Sequence, residues 1–334
     1  MSSTNFTSRP IRIKVVGIGG GGCNAITRMV REQIRGVEFI AMNTDIQHLG
    51  TMEAPIRLAL GEKFTHGSGA GGDHAIGKKC AEESINEIKQ ALIGADMVFL
   101  AAGMGGGTGT GAIPVVAEIA RQGGALVIAI VTKPFTFEGR RRMQVAEEGI
   151  SHLTGKADTL IIVPNDRLLK LPDQKTSLDN TFRAADEILC QAVQTITELI
   201  TVPGLINIDF ATIRTVMKDA GPAWISMGSG TGPNRAVNAA KEALSNPLID
   251  VSISKATKVV FKFTSSNPTL FEVNDAAKVI QKSIHPEANI IFGVALDSNL
   301  KEEVKLTLIA TGFITNNGFD GAISYEGFKK LLRN

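Results

Sequence analysis

The feature that most constrains the fold of this sequence is a regular alternation of short, nearly uninterrupted apolar runs with longer amphipathic stretches. The runs are Ile11–Gly17, Val37–Asn43, Ala95–Gly103, Ala125–Thr132 and Ala157–Pro164; between them lie Cys23–Ile34, Ala75–Leu92, Gly111–Arg121 and Arg140–Leu153. A strand that is apolar on both faces must be covered on both. Such strands, separated by helices, predict an α/β fold with a doubly wound parallel sheet, whose ligands bind at the carboxyl ends of the strands. With 334 residues, of which 43% are hydrophobic, the chain is long and apolar enough for two packed domains. Its 35 Lys+Arg against 33 Asp+Glu exclude a strongly basic nucleic-acid binder, so no nucleic-acid partner is expected.

Farther along, Phe182, Ala185, Leu189, Ala192, Val193, Ile196 and Leu199 recur at spacings of three and four, which predicts one long helix over Leu178–Ile200 that ends at Val202-Pro203-Gly204. After a shorter helix near Asp209–Lys218 the pattern changes. Val251–Phe263, Ala288–Asp297 and Glu303–Phe313 read as strands, with Phe271–Ile284 as the one clear helix among them. The predicted organisation is a flexible N-terminus over 1–10, a nucleotide-binding domain over 11–177, a central helix over 178–202, a smaller α+β domain over 203–313 and a short tail over 314–334. The N-terminus lacks the apolar core of a secretory signal, and Cys23, Cys80 and Cys190 are odd in number with no C-x-x-C spacing, which fits a reducing cytoplasm. Met97–Ala117 carries no charge, but its six Gly, two Thr and one Pro suit a buried strand and a Gly-rich loop, so no direct membrane insertion is expected.

Three Gly clusters punctuate the first domain: Gly17–Gly22, Gly67–Gly72 and Gly103–Gly111. Glycine lets a backbone approach an anion closely and turn its N–H groups inward, and a following helix N-terminus adds partial positive charge. Any one cluster could be a structural turn; three in one α/β domain point to phosphate binding. The first also fits G-x-G-x-x-G after a strand, with Asp45 as a candidate ribose acceptor, so an NAD(P)-dependent oxidoreductase is the rival reading. Gly72–Lys79 matches G-x-x-x-x-G-K but ends in Lys where a P-loop needs a Ser/Thr hydroxyl, and it follows no apolar strand.

Within the third cluster, Gly105–Gly111 reads GGGTGTG. This resembles the signature of the tubulin superfamily, and the surrounding residues, from about Ile11 to Phe313, resemble the bacterial cell-division GTPase family FtsZ. The resemblance implies GTP/GDP with Mg²⁺ as cofactor. It places the phosphates among Gly20, Gly21, Asn24, Gly71, Gly72, Gly103, Gly105, Gly106, Gly107, Thr108, Gly109 and Thr110. It places the sugar along Thr132, Pro134, Glu138 and Arg142, and the base at Asn165, Phe182 and Asp186. Guanine offers adjacent N–H donors at N1 and N2, and one carboxylate accepts both, so Asp186 has a chemical reason to select it. Phe182 lies one turn earlier, placed to stack on the base. Taken alone, Phe182 also reads as core, Asp186 as a surface charge, Glu138 with its Arg run as a solvated helix start, and Thr108 and Thr110 as helix caps.

No Ser-His-Asp set or zinc motif is present to supply a catalytic group. The resemblance assigns that role to the loop after the long helix, Pro203–Thr212, delivered by the next subunit of a head-to-tail filament, with Asn207, Asp209 and Thr212 as catalytic candidates and the metal ligands unknown. The family usually carries a second Asp where this chain has Thr212, and a hydroxyl lacks the charge to attract a water's proton. Asp209 also reads as an N-cap. Two further expectations follow from the resemblance: a cytoplasmic protein at the division site, and membrane-tethering division proteins that bind the C-terminal tail. There Phe328, Leu331 and Leu332 sit at helical spacing beside Lys329, Lys330 and Arg333. The alternative within the superfamily is a GTP-binding filament scaffold with weak hydrolysis.

Overall fold

The computed structural model describes residues 9–170, 178–201, 204–245 and 253–313. The tail and nearly all of the expected flexible N-terminus lie outside these residues.

The chain opens with β1 (Ile13–Ile18), α1 (Gly19–Arg31), β2 (Val37–Asn43), α2 (Ile46–Gly50), β3 (Ile56–Ala59), α3 (Glu62–Thr65), α4 (His74–Glu83) and α5 (Ile85–Leu92). It continues through β4 (Met97–Gly103), α6 (Thr108–Gln122), β5 (Leu126–Lys133), α7 (Arg140–Leu153), β6 (Thr159–Pro164) and α8 (Leu178–Thr201). The remainder is α9 (Phe210–Met217), β7 (Gly221–Gly230), α10 (Arg235–Ser245), β8 (Ala256–Ser265), α11 (Leu270–Gln281), β9 (Asn289–Leu296) and β10 (Val304–Phe313). The strands form one ten-stranded sheet in the order β3-β2-β1-β4-β5-β6-β7-β10-β8-β9. Strands β3 to β7 are parallel neighbours; β10 runs antiparallel to both β7 and β8, and β9 is parallel to β8.

The unbroken apolar runs are explained by burial on both faces. Val16, Leu100 and Val131 join one core with α6 and α7, while their strand neighbours Val15, Phe99 and Ile130 join a second core under α1 and α8. Side chains alternate sides at every residue, so a strand central to two cores cannot show a polar alternation. Helix α8 buries Leu189, Ala192, Val193, Ile196 and Leu199 against that second face, and its core also takes in Val260 and Ile309 of the C-terminal strands.

Several sequence expectations are corrected. The helix expected over Ala75–Leu92 breaks at Ser84, whose hydroxyl accepts from the Gly61 N–H at 3.0 Å. Strand β3 escapes the pattern because it is a short edge strand containing Arg57. Strand β7 escapes because Gly and Ser are poor strand formers, and α10 because its buried stripe is Ala236, Ala239, Ala240 and Ala243 rather than large side chains. Both have one cause. A Cβ on Gly228 would lie 2.2 Å from the Ala239 carbonyl oxygen, so strand and helix backbones touch directly. Phe271–Ile284 is therefore not the only helix of this part.

The two halves are joined by more than the long helix, since β7 pairs with β6 through Gly221–Ala223 and with β10 through Trp224–Gly230. Asp158 pins this seam. It is 3% exposed; its carboxylate accepts from the Val127 N–H at 2.8 Å and the Asp219 N–H at 3.4 Å, and lies 3.8 Å from Arg121 Nε. Replacing it strands buried donors, so Asp158→Ala is expected to cost about 2–4 kcal/mol in urea unfolding, and Asp158→Asn less.

Candidate functional site

In the order β3-β2-β1-β4-β5-β6 the strand sequence reverses between β1 and β4, and a crevice opens there at the carboxyl ends. Both strands run straight into helices. Helix α1 begins at Gly19, within the first Gly cluster and four residues before the expected start, and α6 begins at Thr108, within the third. Neither N-terminus carries a side-chain cap or an acidic residue in its first turn. Among the described residues no side chain caps their leading N–H groups, which leaves two helix N-termini beside the crevice as a ready anion site. Helix α4 differs, because Asp73 caps it by accepting from the Ala75 N–H at 2.8 Å.

The three Gly clusters meet directly. A Cβ on Gly19 would sit 2.7 Å from the Gly109 nitrogen, and one on Gly107 would sit 2.8 Å from Ala70 Cβ. Gly19, Gly107 and Gly109 thus serve loop-to-loop packing. Gly71, Gly72 and Gly106 face open space, with nothing within 4 Å of an added Cβ, and exposed Gly20 and Gly21 begin the free turn of α1 beside exposed Asn24. Gly105 adopts φ +96° where the Arg142 carbonyl oxygen leaves no room for a side chain. The hydroxyls are already placed: Thr110 accepts from the Gly105 N–H at 2.8 Å, and Thr108 pairs with Thr44 at 2.6 Å. Thr44 was not foreseen; its only signal is a polar Asn-Thr-Asp triplet ending an apolar strand. Asp45, the ribose candidate of the rival reading, caps α2 instead by accepting from the His48 N–H at 3.0 Å.

On the other side of the crevice, Met104 N–H donates to the Thr132 carbonyl at 2.9 Å, and the Thr132 hydroxyl lies beside Gly103. Pro134 is buried just beyond. Glu138 accepts from the Phe135 N–H at 2.8 Å and pairs with Arg142 at 3.0 Å, so it shapes its own loop rather than standing in solvent. Phe135, fully buried, stacks on Phe137 and packs against Ala185 of α8, which brings this loop next to Asp186. Burial pushes the Asp186 carboxyl up to about 7, against the pull of the Arg28 guanidinium. Asn165 is 5% exposed, and its Oδ1 has no hydrogen-bond partner among the described residues. A buried acceptor without a donor and a desolvated carboxylate are both groups that a ligand's N–H donors would satisfy. Phe182 lies on the backbone of α8 one turn before Asp186; its side chain is outside the described residues.

Asn207, Asp209 and Thr212 are elsewhere. Asn207 lines a small cleft with Glu198 and Leu199 of α8, and the bridge between Ile206 and Val294 holds the loop against β9. Helix α8, with 24 residues, is about 36 Å long, and Asp186 lies in its first half, about 23 Å before Thr201. Within one chain these residues and the Gly loops do not come together. Asn207 Oδ1 accepts from the Gly204 N–H at 2.6 Å, and Asp209 caps α9 by accepting from the Thr212 N–H at 2.7 Å. Hydrogen bonds from the Thr212 hydroxyl and N–H hold Asp209 below the usual carboxylate range.

Residues 12–173 match the Tubulin/FtsZ family, GTPase domain, and residues 221–314 match the FtsZ family, C-terminal domain. Among solved structures, the empty FtsZ dimer of M. jannaschii is 43% identical, with a TM-score of 0.85 over 91% of this chain and 89% of that one. A mutant of M. jannaschii FtsZ matches at the same identity and TM-score over 91% of each chain. CetZ2 of Haloferax volcanii, in a GTPγS-bound protofilament, shares the fold at 19% identity, with a TM-score of 0.80 over 97% of this chain and 98% of that one. An α/β fold with these glycine loops at its switch point, matched over nine-tenths of its length at that identity, places the chain in the FtsZ family of tubulin-like GTPases.

Proposed function

We propose that this protein is a self-assembling GTPase of the cell-division cytoskeleton, which binds GTP in the crevice between β1 and β4 and hydrolyses it only where the next subunit in a filament completes the site. The observation that carries this reading is the separation of the two half-sites by the part of α8 that follows Asp186, about 23 Å of helix. The phosphates would lie on the free N-terminal turns of α1 and α6, between Gly20–Gly21, Gly71–Gly72 and Gly105–Thr110, with the sugar against Glu138 and Arg142. Asn165 and Asp186 would take the guanine edge, with Phe182 stacked on its face. Among the described residues no three His, Cys, Asp or Glu side chains gather as a metal site, so Mg²⁺ would be held chiefly by phosphate oxygens and water.

Asn207, Asp209 and Thr212 would then act on the neighbour's γ-phosphate. Asp209, kept ionised, would orient the attacking water. Apolar side chains stand exposed at both ends: Ile46, Phe64 and Phe137 around the crevice, and Leu205, Ile206 and Phe292 by the Asp209 loop. Two different surfaces that fit each other make a heterologous contact, which propagates into a filament. The solved relatives are a dimer and a protofilament, which supports self-association. They come from M. jannaschii and Haloferax volcanii, so the division role is proposed without restriction to bacteria. No helix among the described residues is long and apolar enough to cross a membrane. A cytoplasmic place at the division site and tethering through residues 325–334 complete the proposal.

A slow-hydrolysing scaffold is the second reading, favoured by one contact: the Thr212 N–H donates at 2.7 Å to Asp209, the carboxylate on which the reaction would depend. Light scattering with GTP, GDP and NAD tests assembly, which should follow GTP alone. Asp186→Asn is expected to weaken GTP binding by about 2–3 kcal/mol and to favour xanthine nucleotides; unchanged GTP affinity would refute the base assignment. Thr212→Asp should raise turnover by about tenfold or more with little change in the GTP needed for assembly, since only water positioning gains. Equal turnover in the two proteins would leave Thr212 without a catalytic consequence.

A further inference from the structure

Arg28 lies on α1 eight residues beyond Gly20, about 12 Å along the axis from the free turn proposed to hold phosphate. Its guanidinium reaches across to α8. There it forms an ion pair with Glu187, and its Nη1 donates to the Arg183 carbonyl at 3.5 Å. On its own helix its Nε donates to Glu32 Oε1 at 3.0 Å, and Glu32 Oε2 accepts from the Cys190 thiol at 3.0 Å. Arg183, Glu187 and Cys190 are spaced four and three apart, so α1 is laced to a single stripe of α8. Asp186 sits inside that laced segment.

Resting on the reading that Asp186 accepts from a guanine, we propose that Arg28 is the positioning residue of base recognition: it fixes α8 against the phosphate-holding turn of α1 and directs its positive charge at Asp186. A nucleotide's phosphates and base are covalently spaced, and here one helix would hold each. A slip of α8 by one residue carries Asp186 1.5 Å along the axis and turns it by about 100°, which removes it from two donors at once. The task suits arginine, whose planar fork meets a carboxylate, a carbonyl and a second carboxylate in different directions.

The charged groups on the elements around Asp186 include Arg28, Arg31 and Glu32 on and just after α1, Arg183 and Glu187 on α8, Asp166 and Arg167 on the turn after β6, and Glu138 with Arg142 beyond the Phe135 loop, which pair with each other. Of these, Arg28 is the one whose field opposes the effect of burial on Asp186. Guanine needs the ionised carboxylate, so affinity should rise with pH up to about 7 and level off above it, as the free carboxyl titrates.

The test is calorimetric titration of the full chain with GDP from pH 5.5 to 8.5, which keeps turnover out of the measurement. Arg28→Met should weaken GDP about tenfold at pH 7.5 and move the pH midpoint upward. Arg28→Lys, which keeps the charge but not the fork, should bring the midpoint back toward wild type while recovering affinity only in part. Glu187→Gln releases Arg28 and removes a neighbouring anion, so it should move the midpoint downward, and it decides the matter if Arg28→Met does not fold. A purely structural clip predicts lower melting temperatures for Arg28→Met and Glu187→Gln with an unmoved midpoint, and that result overturns the proposal. Asp186→Asn separates the two levels. If it leaves GDP affinity unchanged, the base reading falls and this inference with it; if it weakens GDP while the Arg28 and Glu187 variants leave the midpoint in place, only the role of Arg28 falls.

Discussion

The structure depends on the contact between backbones where β1 and β4 pass into their helices. Gly19 lies against Gly109, and a Cβ on Gly109 would be 2.7 Å from the Gly103 carbonyl oxygen. Side chains at this seam would push α1 and α6 apart, and the two uncapped N-termini would no longer point at one place. Because the seam is closed by packing, the glycines beyond it, Gly71, Gly72 and Gly106, are free to line open space. Anion binding is thus a consequence of how the sheet is wound, with no cationic side chain needed at its centre.

The second determinant is α8. Its apolar stripe fastens it to the sheet along most of its length, and its two ends serve different purposes. One end carries Asp186 beside the crevice, and the other delivers the Asn207–Asp209 loop to the far side of the molecule. About 23 Å of rigid helix, from Asp186 to Thr201, between the proposed base reader and the loop of the proposed water-positioning carboxylate keeps them from meeting in one chain. On this account hydrolysis is coupled to assembly because the monomer contains both halves of the site facing away from each other.

Much of this was legible in the sequence, for physical reasons specific to each element. The central strands announced themselves because both faces are buried, and α8 because its stripe is built from large aliphatic side chains. Strand β7 and helix α10 were hidden because their contact uses Gly228 and four alanines, which read as loop and as neutral helix. The Gly clusters marked the candidate site, but their division of labour was invisible, since packing glycines and lining glycines are the same letter. Thr44 and Arg28 lay beyond reach: one acts through a hydroxyl on a different loop, the other through a helix 155 residues away. Asp209 was read both as a cap and as a catalytic candidate; the structure displays the cap, and the second role awaits a neighbour.

The central claim is that each nucleotide is served by another subunit's loop, and the most direct test gives the two contributions different substrates. An Asp186→Asn, Asp209→Ala double variant, supplied with XTP, carries a xanthine-accepting pocket and a disabled loop; the wild type, supplied with GTP, carries an intact loop. Measured as XDP formation in cosedimenting polymer, and referred to the Asp186→Asn single variant, turnover should be near zero for the double variant alone and should rise as wild-type subunits are added. If the two proteins copolymerise and XDP formation stays at the level of the double variant alone, the site is not shared between subunits and the account is wrong.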